Sequence, residues 1–196
     1  MSKKTIIIAA GIIALCIGIG FGAVSLIGNN ATSAVASEHD GDNSRDPNSV
    51  YTTVAWQEGD LVDISFNINE ADAGSVFAAV MNFSYNSSDL EYLSYEQGNY
   101  FDQAGSEINK KKPVYLVVDK ALSGGDASGE HRLAVGISLF KGSPGMTGSG
   151  RLITLKFKAK QQSASQIILT KKKIVGTDAK EITQISWPAA VQIIPS

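Results

Sequence analysis

The chain has 196 residues, with 17 lysines and arginines against 19 acidic residues, for a net charge of −2. Some fifty N-terminal residues are unsuited to a globular core, and the remaining 145 or so make one domain of ordinary size. That mildly acidic balance argues against nucleic-acid binding, which needs a basic face to neutralise phosphates. The single cysteine, Cys16, lies in the N-terminal segment, so the folded part has neither disulfide nor thiol chemistry.

Residues 1–36 are expected to be a signal peptide or membrane anchor. Lys3 and Lys4 precede an uncharged apolar stretch running to Ile27. That is enough to cross a bilayer as a helix, and the two lysines hold its N-terminal end in the cytoplasm. Everything after it is then extracytoplasmic, either anchored at the cell surface or secreted. Ala34-Val35-Ala36 forms a small-residue cleavage site, whereas the length of the apolar stretch exceeds that of a usual signal core. Both readings stand. Leu15 before Cys16 argues against lipid attachment. Residues 37–50 are polar and without periodicity, a flexible linker. Asp40, Asp42 and Asp46 do not follow calcium-loop spacing. Calcium is possible but not indicated, and no cofactor is expected.

Residues 51–196 form the expected domain. Within 61–69, Val62, Ile64, Phe66 and Ile68 alternate with Asp63, Ser65, Asn67 and Asn69. Alternation of period two gives one buried and one wet face, an antiparallel strand. Residues 76–85 continue the pattern, with Met81, Phe83 and Tyr85 on one side and Asn82 and Ser84 on the other. Further strands are expected at 114–119, 133–140, 152–160, 166–170 and 182–194, the last broken by Pro188. A short helix-like stretch falls at 87–92. Glycine- and proline-rich turns lie at 73–75, 123–126 and 142–150, and the lysine runs at 110–112 and 171–173 read as solvated turns. Many short strands without intervening helices predict an all-β fold, a jelly-roll-type β-sandwich of about nine strands.

Nothing in the chain assembles a catalytic constellation. His39 and His131 are the only histidines and belong to no metal-ligand pair. There is no nucleophile elbow and no phosphate-binding loop. The protein is expected not to be an enzyme. Tyr92, Tyr95, Tyr100 and Phe101 could stack on a polysaccharide or form core beneath a loop. Asn86-Ser87-Ser88 is a glycosylation sequon in an expected turn, while the one at Asn82 lies within a strand.

Three passages in order resemble a cohesin domain, the β-sandwich module that docks a dockerin in cellulosome-type assemblies. The first runs from Gly59-Asp60-Leu61-Val62-Asp63-Ile64-Ser65-Phe66 through Ala73-Gly74-Ser75 and residues 80–93. The second joins residues 133–140 to Gly150-Arg151-Leu152-Ile153-Thr154-Leu155-Lys156-Phe157. The third pairs Ile167-Ile168-Leu169-Thr170 with residues 175–182. The aspartate-proline turn usual in the family is here Asn86-Ser87-Ser88. The resemblance implies a non-catalytic module for a dockerin-bearing protein, with carbohydrate binding or an envelope-assembly role as alternatives. It places docking on a sheet face that includes the 76–85 strand. Alternation then points Ala78, Val80, Asn82 and Ser84 outward, and likewise Thr154, Lys156 and Lys158 on the 152–160 strand. These seven are the expected partner-binding residues.

Overall fold

The computed structural model describes residues 46–69, 75–102, 112–121 and 129–194. The expected leader (1–36), most of the linker, the 123–126 turn and Lys110–Lys111 lie outside the described residues. Among those described there is no α-helix, and no helix long and apolar enough to cross a membrane.

Nine strands follow in order: β1 Ser49–Gln57, β2 Leu61–Asn69, β3 Val76–Asn86, β4 Leu90–Gln97, β5 Val114–Ala121, β6 Glu130–Ser138, β7 Gly150–Ala159, β8 Ser165–Gly176 and β9 Ala190–Ile193. They form two antiparallel sheets, β1-β2-β7-β4 and β5-β6-β3-β8-β9. Each sheet buries one apolar face against the other, as a sandwich requires. Val62, Ile64, Phe66 and Ile68 of β2 are fully buried, as are Met81 and Phe83 of β3. Phe66 and Phe83 meet across the sheets with ring centroids 4.9 Å apart. Burying each such side chain contributes about 1.5–3 kcal/mol.

The sandwich is closed along both sides. On one, Tyr95 of β4 stacks on Tyr115 of β5 at 6.1 Å, and the Tyr115 hydroxyl donates to the carbonyls of Gly98 and Leu152, both at 3.2 Å. Gly98 is obligatory there, because a Cβ would run into the backbone of Arg151. On the other side, the Val50 N–H donates to Ser186 O at 2.8 Å and Trp56 Nε1 to Ile194 O at 2.9 Å.

Several expectations are corrected. The 87–92 stretch is not helical: it is a tight turn followed by β4, whose ladder with β7 is irregular between Tyr92 and Ser94. That bulge lets Tyr92 and Tyr95, three residues apart, face the same side opposite Phe157 and Leu155, a spacing that imitates a helix. β1 begins at Ser49, inside the stretch expected to be linker. Lys171–Lys173 is not a turn but part of β8, whose phase shifts where β3 passes from Asn82 to Phe83. Lys172 stands opposite Met81 and carries its ammonium out to the Pro188 carbonyl, 3.3 Å away, as long lysine stems allow. At the C-terminal end only Ala190–Ile193 is a strand. Of the four aromatics weighed as a sugar platform, Tyr100 and Phe101 are buried core, and Tyr92 and Tyr95 are half-buried against it.

Candidate docking face

The ladders of the five-stranded sheet line up its outward side chains in rows. Leu116 of β5, Gly136 of β6, Val80 of β3 and Lys173 of β8 form one row. Val118, Ala134, Asn82 and Lys171 form the next. Lys120, Arg132, Ser84 and Ile168 form the third. Small residues at the centre keep the face flat; the first two rows are apolar on the β5–β6 side with lysines on β8, and the third reverses this, with Lys120 and Arg132 facing Ile168. Leu116 is 39% exposed and Val118 47%, an apolar strip open to solvent on an edge strand.

Alternation holds on β3, yet outward does not mean exposed. Val80 is only 3% exposed, and Ala78 and Ser84 are also buried. β3 is central, flanked by β6 and β8, and the long side chains beside its small ones are Lys173 and Lys171 of β8 and Arg132 of β6. The Ser84 hydroxyl donates to Glu130 at 2.7 Å. Asn82 is half-buried, and its Oδ1 has no hydrogen-bond partner among the described residues; nor has Nε of Arg132 in the adjacent row. A buried polar atom without a partner costs about 1–3 kcal/mol, which a docked chain offering a donor and an acceptor could recover.

The seven expected binding residues do not share a face. Ala78, Val80, Asn82 and Ser84 belong to the five-stranded sheet, but Thr154, Lys156 and Lys158 lie on β7 of the other. Their outward direction was read correctly; the sheet was not, because a strand's own alternation does not name its partners. Thr154 is 2% exposed and shares a 2.8 Å hydrogen bond with Ser65. Lys156 lies 2.7 Å from Glu96 and 3.9 Å from Asp63. The hydrogen bond to Lys156 holds the Glu96 carboxyl below its ordinary pKa, and Glu96 raises the lysine in return. Leu116 and Val118 went unnamed from sequence, although the strand that carries them was expected. Residues 114–118 are apolar without interruption, so no alternation tells the buried side from the exposed one.

His131 packs where β5 and β6 end. The Tyr85 hydroxyl donates to Asp119 at 2.9 Å, and His131 Nδ1 lies 3.4 Å from the other Asp119 oxygen. Burial, reinforced by Asp119, pushes the Tyr85 phenol well above its ordinary pKa. A tyrosine held neutral beside a carboxylate ties the strand ends together. Among the described residues no three His, Cys, Asp or Glu side chains are grouped as a metal site would require.

The molecule is thus a two-sheet antiparallel sandwich whose five-stranded sheet carries an exposed apolar strip along one edge. The cohesin-domain family model matches residues 48–192, nearly all of the sandwich; the chain belongs to the cohesin family, whose domains are non-catalytic docking modules. Among solved structures it is similar to a type II cohesin of Bacteroides cellulosolvens (12% identity, TM-score 0.54, covering 76% of this chain and 99% of that one). It is also similar to a type I cohesin–dockerin complex of Clostridium thermocellum (18%, 0.52, 81% and 100%). A third similar structure is the sixth cohesin of Acetivibrio cellulolyticus scaffoldin B bound to a dockerin (12%, 0.51, 76% and 99%). At these identities the likeness is one of fold. Among curated proteins nothing matches.

Proposed function

We propose that this chain docks a dockerin-bearing protein through the outer face of its five-stranded sheet, outside the cytoplasm. The observation that carries the reading is the exposed Leu116–Val118 strip on a flat face of a cohesin-family sandwich. The strip, the small residues beside it and the two unpartnered polar atoms supply an apolar centre with polar anchors, the usual composition of a protein interface. Solved complexes of similar cohesins with dockerins support the choice of partner. The extracytoplasmic location rests on the charge and apolarity of residues 1–36.

The test is capture on the immobilised domain from culture fluid and envelope extract, read by mass spectrometry. The expected captured protein carries paired calcium loops and elutes with a chelator, since a dockerin folds around its own calcium. Retention only of polysaccharide, or of proteins without such loops and indifferent to chelation, overturns the reading.

A further inference from the structure

We propose that Asn86 is an acceptor for an N-linked glycan, taken from a lipid-diphosphate-linked oligosaccharide by a membrane transferase. The proposal rests on the extracytoplasmic location proposed above. In the transfer, Asn86 Nδ2 bonds to C1 of the first sugar and loses a proton. The bond from that carbon to the diphosphate oxygen breaks, and the lipid diphosphate leaves with the electron pair.

Two sequons lie four residues apart on the same strand, and their surroundings differ. Asn82-Phe83-Ser84 is in the middle of β3, laddered to β6 and β8 on both sides. Its Oδ1 is buried, Ser84 is buried and Phe83 is core. A glycan on Asn82 would have to displace the neighbouring strands' side chains. Asn86-Ser87-Ser88 is where β3 ends and the chain turns into β4. Asn86 is exposed.

The turn fixes the carboxamide by one end only. Ser88 donates to Asn86 Oδ1 twice, through its N–H at 3.0 Å and its hydroxyl at 2.7 Å, the local bonding that asparagine offers in turns. The turn is pinned by Asp89 N–H to Asn86 O at 3.1 Å and Ser87 N–H to Gly129 O at 2.6 Å. Both side-chain bonds use the oxygen, so the nitrogen that would carry the sugar is not spent in holding the turn. Beside it lies an open groove lined by Asp89, Glu130, Gln166, Ile168 and Gln192. Carboxylates and carboxamides suit sugar hydroxyls, and the 47%-exposed Ile168 offers an apolar patch to a sugar's C–H face. Asn86 is six residues beyond Val80, roughly 20 Å along the strand at about 3.3 Å per residue. A glycan there meets the Ser84–Ile168 end of the docking face, away from the row that carries Leu116.

The experiment is intact-mass and electron-transfer fragmentation analysis of the full chain from its native host, with protease accessibility of intact cells stripped of their wall measured in parallel. The expected result is a protease-accessible protein bearing a glycan on Asn86. Replacing Ser88→Ala should reduce the Asn86 peptide to its bare mass, and Ser88→Thr should keep the modification. An accessible protein with Asn86 unmodified, or with a glycan only at Asn82 or at the third sequon, Asn30-Ala31-Thr32, overturns the proposal and leaves the location intact. An unmodified, protease-protected protein overturns both.

Discussion

The outer faces of the two sheets are built on one core and differ in how much of their polar and apolar surface is already paired. On the four-stranded sheet Ser65 bonds Thr154 and Lys156 pairs with Glu96 and Asp63, while Nε of Arg151 is buried without a partner among the described residues and Leu93 is exposed. On the five-stranded sheet Leu116 and Val118 stand open to solvent, and Asn82 and Arg132 each hold a buried polar atom without a partner. Two exposed apolar side chains in neighbouring rows, beside two unpartnered polar atoms, give the five-stranded face the more to gain from a partner. The proposed docking face rests on that apolar strip.

Because the faces share one core, damage to the core must reach both. Phe66 is fully buried and meets Phe83 of the opposite sheet. Phe66→Ala is expected to destabilise the domain by about 3–5 kcal/mol, measured by denaturant titration. A loss under 1 kcal/mol would show that the sheets are held together elsewhere.

A smaller effect is expected along the β4–β5 seam in alkali. Burial pushes the phenols of Tyr92 and Tyr115 up to about 12, above the value near 10 of an unfolded tyrosine. A raised folded-state pKa gives stability that is fully present below pH 10 and is lost as pH climbs from 10 to 12. Melting temperature followed across that window should fall, and less so in a Tyr115→Phe variant. A flat profile would contradict the burial of the seam. The smallest effect belongs to the paired face: Lys156→Ala removes a solvated ion pair and should barely move the midpoint.

Much of the fold was legible in the sequence, the contrast between its two faces was not, and the failures have physical causes. β2 was plain because Val62, Ile64, Phe66 and Ile68 alternate with polar residues and face one core. β1 was obscured because its outward residues include Tyr51 and Ala55 opposite inward Val50 and Val54, so its period is weak. β4 and β8 were misread at irregularities in their ladders, where the alternation that identifies a strand changes phase. The candidate site was half legible. The outward direction of Val80 and Asn82 followed from period two, but strand pairing between distant segments did not, so β7 was placed beside β3. Nor did alternation reveal that Val80, central in its sheet, is shaded. A charged substitution there would therefore disturb packing, whereas Leu116 and Val118 can be changed with little cost to the fold.

Those two residues allow the most direct measurement: calorimetric titration of one dockerin-bearing partner into the unaltered domain and two double variants. Leu116→Arg with Val118→Glu changes only exposed positions, so stability should shift by no more than about 0.5–1 kcal/mol. Affinity should fall by roughly 100-fold or more, as loss of an interface's apolar centre does. Lys156→Glu with Lys158→Glu, on the opposite face, should leave affinity within about two-fold, as substitutions away from a contact do. If the lysine variant loses binding while the folded Leu116–Val118 variant keeps it, the docking face lies on the four-stranded sheet and the account is wrong.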